Sequence, residues 1–181
     1  MVATKVAATA LAVTVLCSGL AHAQAKPDFT GTWTLDRKAS AIDDGGKNEG
    51  RGGGLPTATE MVIKQSAVEM TVNSVAPDNY AFSGNPVPAA DGLFRFSSTY
   101  KLDGSEFQAN CPPCDATGKS TWADGKLTIS AKRKLFAGAL GVIETEDIDV
   151  YSLTGDLLTL ERTVDTVDGP KKRKLVYSRK K

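Results

Sequence analysis

The sequence predicts an all-β domain, an up-and-down antiparallel meander of about eight to ten strands closed into a barrel. Apolar and polar residues alternate with period two from residue 29 almost to the C-terminus. That period is the pattern of strands that bury one face. Asp-Gly and Gly-Asp pairs separate the alternating runs, and both residue types tolerate the positive φ that tight hairpins need. After residue 23, no segment of helical length repeats with a 3.6-residue period.

The runs follow one another in a regular order. Residues sharing a face within their run are Phe29, Gly31, Trp33 and Leu35; Met61 and Ile63; Val68, Met70 and Val72; Phe94, Phe96, Ser98, Tyr100 and Leu102; Phe107 and Ala109; Leu127, Ile129 and Ala131. Weaker runs cover 119–122, 142–153, 157–164 and 174–178. The turn pairs between runs are Asp103-Gly104, Asp124-Gly125, Gly155-Asp156 and Asp168-Gly169. Closure removes the exposed edges of such a meander, so we expect a barrel, with a β-sandwich as the alternative.

The first 23 residues have the pattern of a secretory signal peptide. Lys5 supplies the positive start, Val6 to Leu16 is an apolar run, and Ala21-His22-Ala23 is a small-x-small cleavage site. The apolar run is too short for a membrane span, which needs about 20 residues. Leu16 also disfavours acylation of Cys17, because lipoprotein processing prefers a small residue there. We therefore expect an exported protein, periplasmic or secreted, whose single mature domain is 24–181 with no transmembrane segment.

Composition excludes several functions for the mature chain. The 22 basic and 21 acidic residues nearly cancel, and only Lys5 is lost with the leader, so there is no electrostatic case for nucleic acid. His22, the only histidine, is lost too. The commonest general base and metal ligand is thus missing, and we predict no catalytic residues, no metal and no cofactor. A stretch with six glycines, 43–56, is expected to be a flexible loop rather than a phosphate loop, since it lacks a Gly-Lys-Ser/Thr ending.

The first predicted strand carries a Gly-x-Trp motif within Asp28-Phe29-Thr30-Gly31-Thr32-Trp33-Thr34-Leu35. This resembles the first signature of lipocalins and the wider calycin group of β-barrels. The resemblance implies that Gly31 and Trp33 belong to the closed end of the barrel, where an arginine near the last strand stacks on the indole. Arg162, Arg173 and Arg179 are candidates, and the parity of the final strand favours Arg173 or Arg179. The chain also resembles secreted bacterial proteins that open with Asp-Phe-x-Gly-x-Trp-x-Leu, for which no activity is implied.

Cys111-Pro112-Pro113-Cys114 has the spacing of a redox motif. Thioredoxin-type enzymes place the first cysteine at a helix N-terminus, whereas a turn and a strand follow Cys114 here. In an oxidising compartment, a disulfide that clamps the loop is the favoured interpretation. Two thiols without histidine do not complete a zinc site.

Three further segments have both a functional and a structural interpretation. The functional interpretation of Glu144, Glu146, Asp147 and Asp149 is a set of paired carboxylates or cation ligands. We expect instead a solvated strand face that Lys171, Lys172, Arg173 and Lys174 neutralise. We expect the seven basic residues of 170–181 to prevent an edge strand from pairing with strands of other molecules. The apolar segment 135–141 is either a lip at the mouth of the barrel or a hairpin covering its end.

Together these observations predict a non-enzymatic, exported barrel that binds a small hydrophobic or amphipathic molecule. The candidate ligand contacts are Trp33, Phe94, Phe96, Tyr100, Ile129 and Leu160. The alternative is an interaction module of the cell envelope with a filled core, and the volume of the interior cavity distinguishes the two.

Overall fold

Ten antiparallel strands form one continuous sheet in the computed structural model, which describes residues 26–41, 57–77, 92–109, 115–136, 142–166 and 169–181. The strands are β1 Gly31–Leu35, β2 Glu60–Gln65, β3 Glu69–Pro77, β4 Leu93–Lys101, β5 Phe107–Ala109, β6 Asp115–Ala123, β7 Lys126–Phe136, β8 Val142–Thr154, β9 Leu157–Thr166 and β10 Gly169–Arg179. No helix occurs within these ranges, so none there is long and apolar enough to cross a membrane.

The strand order is β4-β3-β2-β1-β10-β9-β8-β7-β6-β5, and every neighbouring pair is antiparallel. Apart from the β1–β10 contact, which brings the two ends of the chain together, each pair is consecutive in sequence. The sheet curls until its edge strands β4 and β5 approach each other, which gives a nearly closed barrel. The predicted all-β, up-and-down barrel is therefore confirmed, and the sandwich alternative is wrong.

The edges meet through side chains near one end of the barrel. The rings of Tyr100 on β4 and Phe107 on β5 lie edge to face, with centroids 5.5 Å apart. Ser120 on β6 donates a hydrogen bond to the carbonyl of Lys101. Gly118 makes this closure feasible, because a Cβ there would lie 2.5 Å from the Phe107 ring.

Two predicted hairpin turns are confirmed, Asp124-Gly125 between β6 and β7 and Gly155-Asp156 between β8 and β9, whereas Asp103-Gly104 joins the edge strands β4 and β5, which do not pair with each other. At the β6–β7 turn, Asp124 and Gly125 adopt φ of 50° and 69°. The β8–β9 turn places Gly155 at φ 57°. These conformations match the twist of the strands that they join.

Period-two alternation sorts the side chains between the inside of the barrel and solvent. Residues on the inner face that are buried include Trp33, Met61, Ile63, Met70, Val72, Tyr100, Leu127, Ile129, Tyr151, Leu158, Leu160, Leu175 and Tyr177. Among the side chains that the structure describes, the predicted inner face is right for the six runs given above by residue, except at Val68, which lies in the β2–β3 turn and is 60% exposed.

Several predictions concern residues outside the described ranges. They are the signal peptide 1–23, the glycine-rich segment 43–56, the Cys111–Cys114 pair, the Asp168-Gly169 turn and most of the apolar segment 135–141. Those predictions stand as they were made.

Candidate functional site

One end of the barrel is sealed by a cluster that we call the floor: Phe29, Trp33, Trp122, Leu127 and Leu158. Trp33 and Phe29 are fully buried, and the Trp33 Nε1–H donates to the Phe29 carbonyl at 2.9 Å. Phe29 precedes β1 and stacks on Trp122 with centroids 6.0 Å apart. Gln65 fixes this segment, since its Oε1 accepts from Phe29 N and its Nε2 donates to the Pro27 carbonyl, both at 3.0 Å. The floor is thus built by the chain that enters β1.

Arg179 is the arginine that lies over Trp33, with its Cζ 4.3 Å from the ring centroid. It faces Trp33 directly across the β1–β10 ladder, and its Nη1 donates to the Thr30 carbonyl at 2.6 Å. Gly31 leaves room for this group: a Cβ there would lie 2.6 Å from Nη1, and its φ of 151° also disfavours other residues. Cation–π attraction adds to the apolar burial that holds the floor.

The other two candidate arginines lie elsewhere. Arg173 is on the same face of β10 but nearer the opposite end, where its Nη1 lies 3.5 Å from Thr57 Oγ1. Arg162, on β9, is the ladder partner of Arg173 and forms an ion pair with Asp149.

Halfway along the barrel, the interior changes from apolar to charged. Four inward side chains form what we call the charged layer: Arg133 on β7, Asp147 and Asp149 on β8, and Arg162 on β9. Arg162 donates from Nε and Nη2 to the two carboxylate oxygens of Asp149, each at 2.7 Å. Arg133 forms an ion pair with Asp147 across β7 and β8, through its Nη2 and one carboxylate oxygen, Oδ2. All four side chains are close to nine-tenths buried.

The expectation of a solvated acidic face is wrong for Asp147 and Asp149, although it holds for the exposed Glu144. The reason is strand register. Asp149 is the ladder partner of Arg162, and Asp147 lies diagonally across from Arg133, all on the inner face. The two aspartates therefore pair with arginines of their adjacent strands and not with Lys171 to Lys174.

Burial and charge act together on the titratable groups of the interior. Burial lowers the pKa of Arg162, but the Asp149 charge and its hydrogen bonds outweigh burial, so the net shift is upward. Burial and the nearby Arg162 charge lower the pKa of Arg133. Burial raises the pKa of Tyr100, Tyr151 and Tyr177, with the Asp149 charge adding to the shift. The layer thus pairs two guanidinium groups with two carboxyl groups, beside tyrosines whose protonated form is favoured by burial.

A small cavity of about 10 Å³ lies against the charged layer. Its lining residues are Ala58, Met61, Val72, Ser74, Phe96, Ser98, Tyr100, Tyr151, Leu160, Arg162 and Tyr177. This volume is that of about one water molecule. A larger groove of about 330 Å³ is lined mainly by outward residues of β6 to β9, such as Lys132, Glu146 and Asp165, and lies outside the barrel.

The structure brings together some of the predicted ligand contacts and separates others. Phe96, Tyr100 and Leu160 line the small cavity. Trp33 belongs to the floor, and Ile129 is packed in the buried core. Phe94 lies on β4, and its side chain is outside what the structure describes.

The two arginine–aspartate pairs, Tyr151 and Tyr177 are interior groups that the sequence pattern did not identify. The information was present in the alternation, because Asp147, Asp149 and Tyr151 share parity on β8, as Leu160 and Arg162 do on β9. Within the described ranges, no cluster of three or more histidine, cysteine or acidic residues is placed to hold a metal ion.

No protein-family model and no curated protein matches the chain. Several solved structures are similar to it, two of which follow. One is described as "REP1-NXSQ fatty acid transporter", with 12% identity over 84% of this chain and 96% of that chain, and a TM-score of 0.49. The other is a secretary abundant heat soluble (SAHS) protein from Ramazzottius varieornatus, with 17% identity over 84% of this chain and 95% of that chain, and a TM-score of 0.46. These values do not assign the chain to a family.

Proposed function

We propose that this protein is an exported, lipocalin-like β-barrel that binds a small hydrophobic or amphipathic molecule inside the barrel, without catalysing a reaction. The observation that carries the proposal is the charged layer, formed by Arg133, Asp147, Asp149 and Arg162 inside the barrel and next to its apolar half. Apolar residues of similar size would fill the same space with equal or greater stability. Buried polar groups beside a cavity are the usual means of orienting a bound ligand.

The proposed ligand would lie above the floor, on the side of the charged layer. The floor is solid, because Trp33, Leu127 and Leu158 are fully buried there. The charged layer forms the next level, and a ligand that enters from the end opposite the floor meets it as the deepest accessible surface. Phe96 and Tyr100 would then contact the ligand from β4.

A second candidate is the interaction module with a filled interior. The volume of the cavity favours it, because about 10 Å³ admits one water and drug-sized ligands occupy about 300 Å³ or more. In that case the function would reside on the outer surface, at the apolar segment 135–141 or along the basic strand β10.

Titration of the purified protein with Nile red, an uncharged dye whose fluorescence rises in apolar surroundings, tests the first proposal. We expect saturable binding to wild type, and native mass spectrometry should show a small molecule retained from the producing cell. Absence of both would favour the interaction module.

Two variants locate the bound dye. Ser98→Phe adds a ring to the inner face of β4 beside the cavity, and we expect it to abolish dye binding. Thr99→Phe adds the same ring to the exposed outer face of the same strand and should leave binding unchanged. The reverse result would place the dye outside the barrel. Circular dichroism checks that both variants keep their β structure.

The mass of the exported protein tests the predicted leader and the cysteine pair together. Cleavage after Ala23 gives a chain that starts at Gln24. We expect that mass, lowered by the two hydrogens lost when Cys111 and Cys114 form a disulfide. A retained leader, or two thiols that react with alkylating reagent without prior reduction, would contradict these parts of the proposal.

A further inference from the structure

The arginines of the charged layer are already neutralised by residues of the chain itself. Arg162 uses its Nε and Nη2 to hold both oxygens of Asp149. Arg133 is paired with Asp147, and the exposed fractions of these four side chains are between 9% and 12%. The four residues of the layer therefore carry no net charge, although they include two guanidinium groups; a third guanidinium on the inner face, that of Arg173, belongs to the ladder partner of Arg162 on β10.

This balance penalises a ligand that carries a carboxylate. To reach Arg162, the ligand would have to displace Asp149, which would then be a buried carboxylate without its partner. Alternatively, the ligand would bring a third negative charge next to Asp149 and Asp147. Either arrangement is strongly unfavourable in a buried site, because an isolated charge there loses its hydration without compensation.

An uncharged polar group meets no such penalty. The cavity beside Arg162 has the volume of about one water and is bordered by the hydroxyl-bearing residues Ser74, Ser98, Tyr100 and Tyr151. A hydroxyl or carbonyl oxygen of a ligand is about the size of that water. It can exchange hydrogen bonds with these hydroxyl groups while leaving both ion pairs intact.

We propose that the barrel selects an uncharged amphipathic ligand with a hydroxyl or carbonyl head group, and that Asp149 is a specificity-determining residue that rejects the corresponding carboxylate. This inference rests on the proposed function, because it names the class of ligand for the same interior site. In this proposal, Arg133 and Arg162 hold the two aspartates of the layer in place and do not bind an acid.

Displacement of Nile red by 1-dodecanol and by dodecanoate, at about pH 8 where the acid is ionised, provides the test. The two compounds share one alkyl chain and differ in head group. For wild type, we expect the alcohol to displace the dye with an affinity at least about tenfold higher than that of the acid, equivalent to about 1.4 kcal/mol. Equal affinities, or a preference for the acid, would overturn the proposal.

The Asp149→Asn variant tests whether the charge of this carboxylate, and not the shape of the barrel, excludes the acid. It removes the negative charge with little change in shape and leaves the Arg162 guanidinium available to an acid. We expect its affinity for dodecanoate to rise at least about tenfold relative to wild type, with a much smaller change for dodecanol. Asp156→Asn is the matched control, because Asp156 is an exposed aspartate beside Arg179 at the floor end, and its alcohol-to-acid ratio should equal that of wild type.

Two further variants keep the test decisive. The double variant Arg162→Met with Asp149→Leu removes both charges. It should bind dodecanol, and it should lack the gain in dodecanoate affinity of about tenfold expected of Asp149→Asn, because that gain requires the guanidinium that Asp149 releases. Arg173→Gln tests whether an acid binds to Arg173, the ladder partner of Arg162, and we expect the alcohol-to-acid ratio not to change. A gain of dodecanoate affinity in the double variant, or a large change of the ratio in Arg173→Gln, would show that the acid is not excluded through the Asp149–Arg162 pair. Failure of every variant and of wild type to bind Nile red would instead refute the proposed function.

Discussion

At the scale of single residues, the floor depends on Gly31, because the absence of a side chain there leaves room for the Arg179 guanidinium. Arg179 reaches across β1 to the Trp33 ring only because Gly31 has no side chain in its path. The Gly-x-Trp motif thus has a physical explanation in this protein: the glycine provides space for the cation, and the tryptophan provides the ring on which the cation lies. The resemblance to lipocalins raised this role for an arginine, and register identifies which one fulfils it.

We expect Gly31→Ala to destabilise the protein by about 2–4 kcal/mol. Backbone strain at positive φ contributes about 1–3 kcal/mol, and displacement of Arg179 from the indole contributes about 0.5–2 kcal/mol. Urea unfolding followed by circular dichroism measures the change. In an Arg179→Ala background the same substitution should cost about 1 kcal/mol less, because the displaced group is already missing. Full additivity of the two substitutions would show that Gly31 and Arg179 are not coupled.

At the scale of strands, the near-closure of the barrel depends on how β5 packs over β6. Phe107 on β5 lies over Gly118, its ladder partner on β6, and reaches Tyr100 on β4. This single ring therefore connects both edges of the sheet. The Ser120 hydrogen bond to Lys101 is a second connection at the same level.

Gly118→Ala should destabilise the protein by about 1–3 kcal/mol, because the new Cβ would occupy space now filled by the Phe107 ring. Replacing that ring in the double variant Gly118→Ala with Phe107→Leu should recover part of the loss. Thermal or urea unfolding of wild type, Gly118→Ala and the double variant measures the loss of stability and its recovery. Thr117→Ala, at an exposed position on the same strand, is the control and should change stability by no more than about 0.5 kcal/mol. An equal loss in the control would point to strand propensity and not to the Phe107 contact.

The sequence predicted most of the strands and their inner faces, because period-two alternation is a local property. Tyr100, Ile129 and Leu160 were placed inside the barrel on that basis, and the structure has them buried. The choice between Arg173 and Arg179 was beyond this reasoning, since both have the same parity. Only the register of β1 against β10 places Arg179 opposite Trp33.

The charged layer could not be predicted for a related reason. Asp147 and Asp149 belong to a run rich in acidic residues, which is typical of a solvated face. Their inward direction follows from parity with Tyr151, but their neutralisation depends on Arg133 and Arg162, which lie on two different strands. Pairing across strands is a property of register, and a single sequence contains no direct record of it.

At the scale of the whole molecule, the barrel has two halves with different interiors. The half nearer the floor is packed with apolar side chains and provides stability through their burial. Beyond the charged layer, the inner face carries further polar and charged groups, including Arg173. Three buried tyrosines, Tyr100, Tyr151 and Tyr177, lie at the boundary and make the stability of the whole barrel sensitive to alkaline pH.

Burial raises the pKa of each of these tyrosines above the ordinary value of 10.0. Below pH 10 they are protonated in both the folded and the unfolded chain and give no pH dependence. Above it, the unfolded chain loses protons that the folded chain keeps, so the free energy of unfolding falls as pH rises. Three groups together give a slope of about 4 kcal/mol per pH unit, and a domain with a stability of 5–15 kcal/mol should unfold between about pH 11 and 14.

Tyrosinate absorbance and circular dichroism, recorded together during an alkaline titration, measure this transition. We expect the absorbance of the three buried tyrosines to appear only as the β signal is lost. Tyr177→Phe should reduce the slope by about one third, since one linked proton is removed. It should also lower stability at neutral pH by about 1 kcal/mol, because the hydroxyl donates to the Ala58 carbonyl at 3.1 Å. Ionisation of all tyrosines near pH 10 in a protein that keeps its β signal would show that the boundary between the two halves is open to water, which would also remove the basis for the selectivity assigned to Asp149.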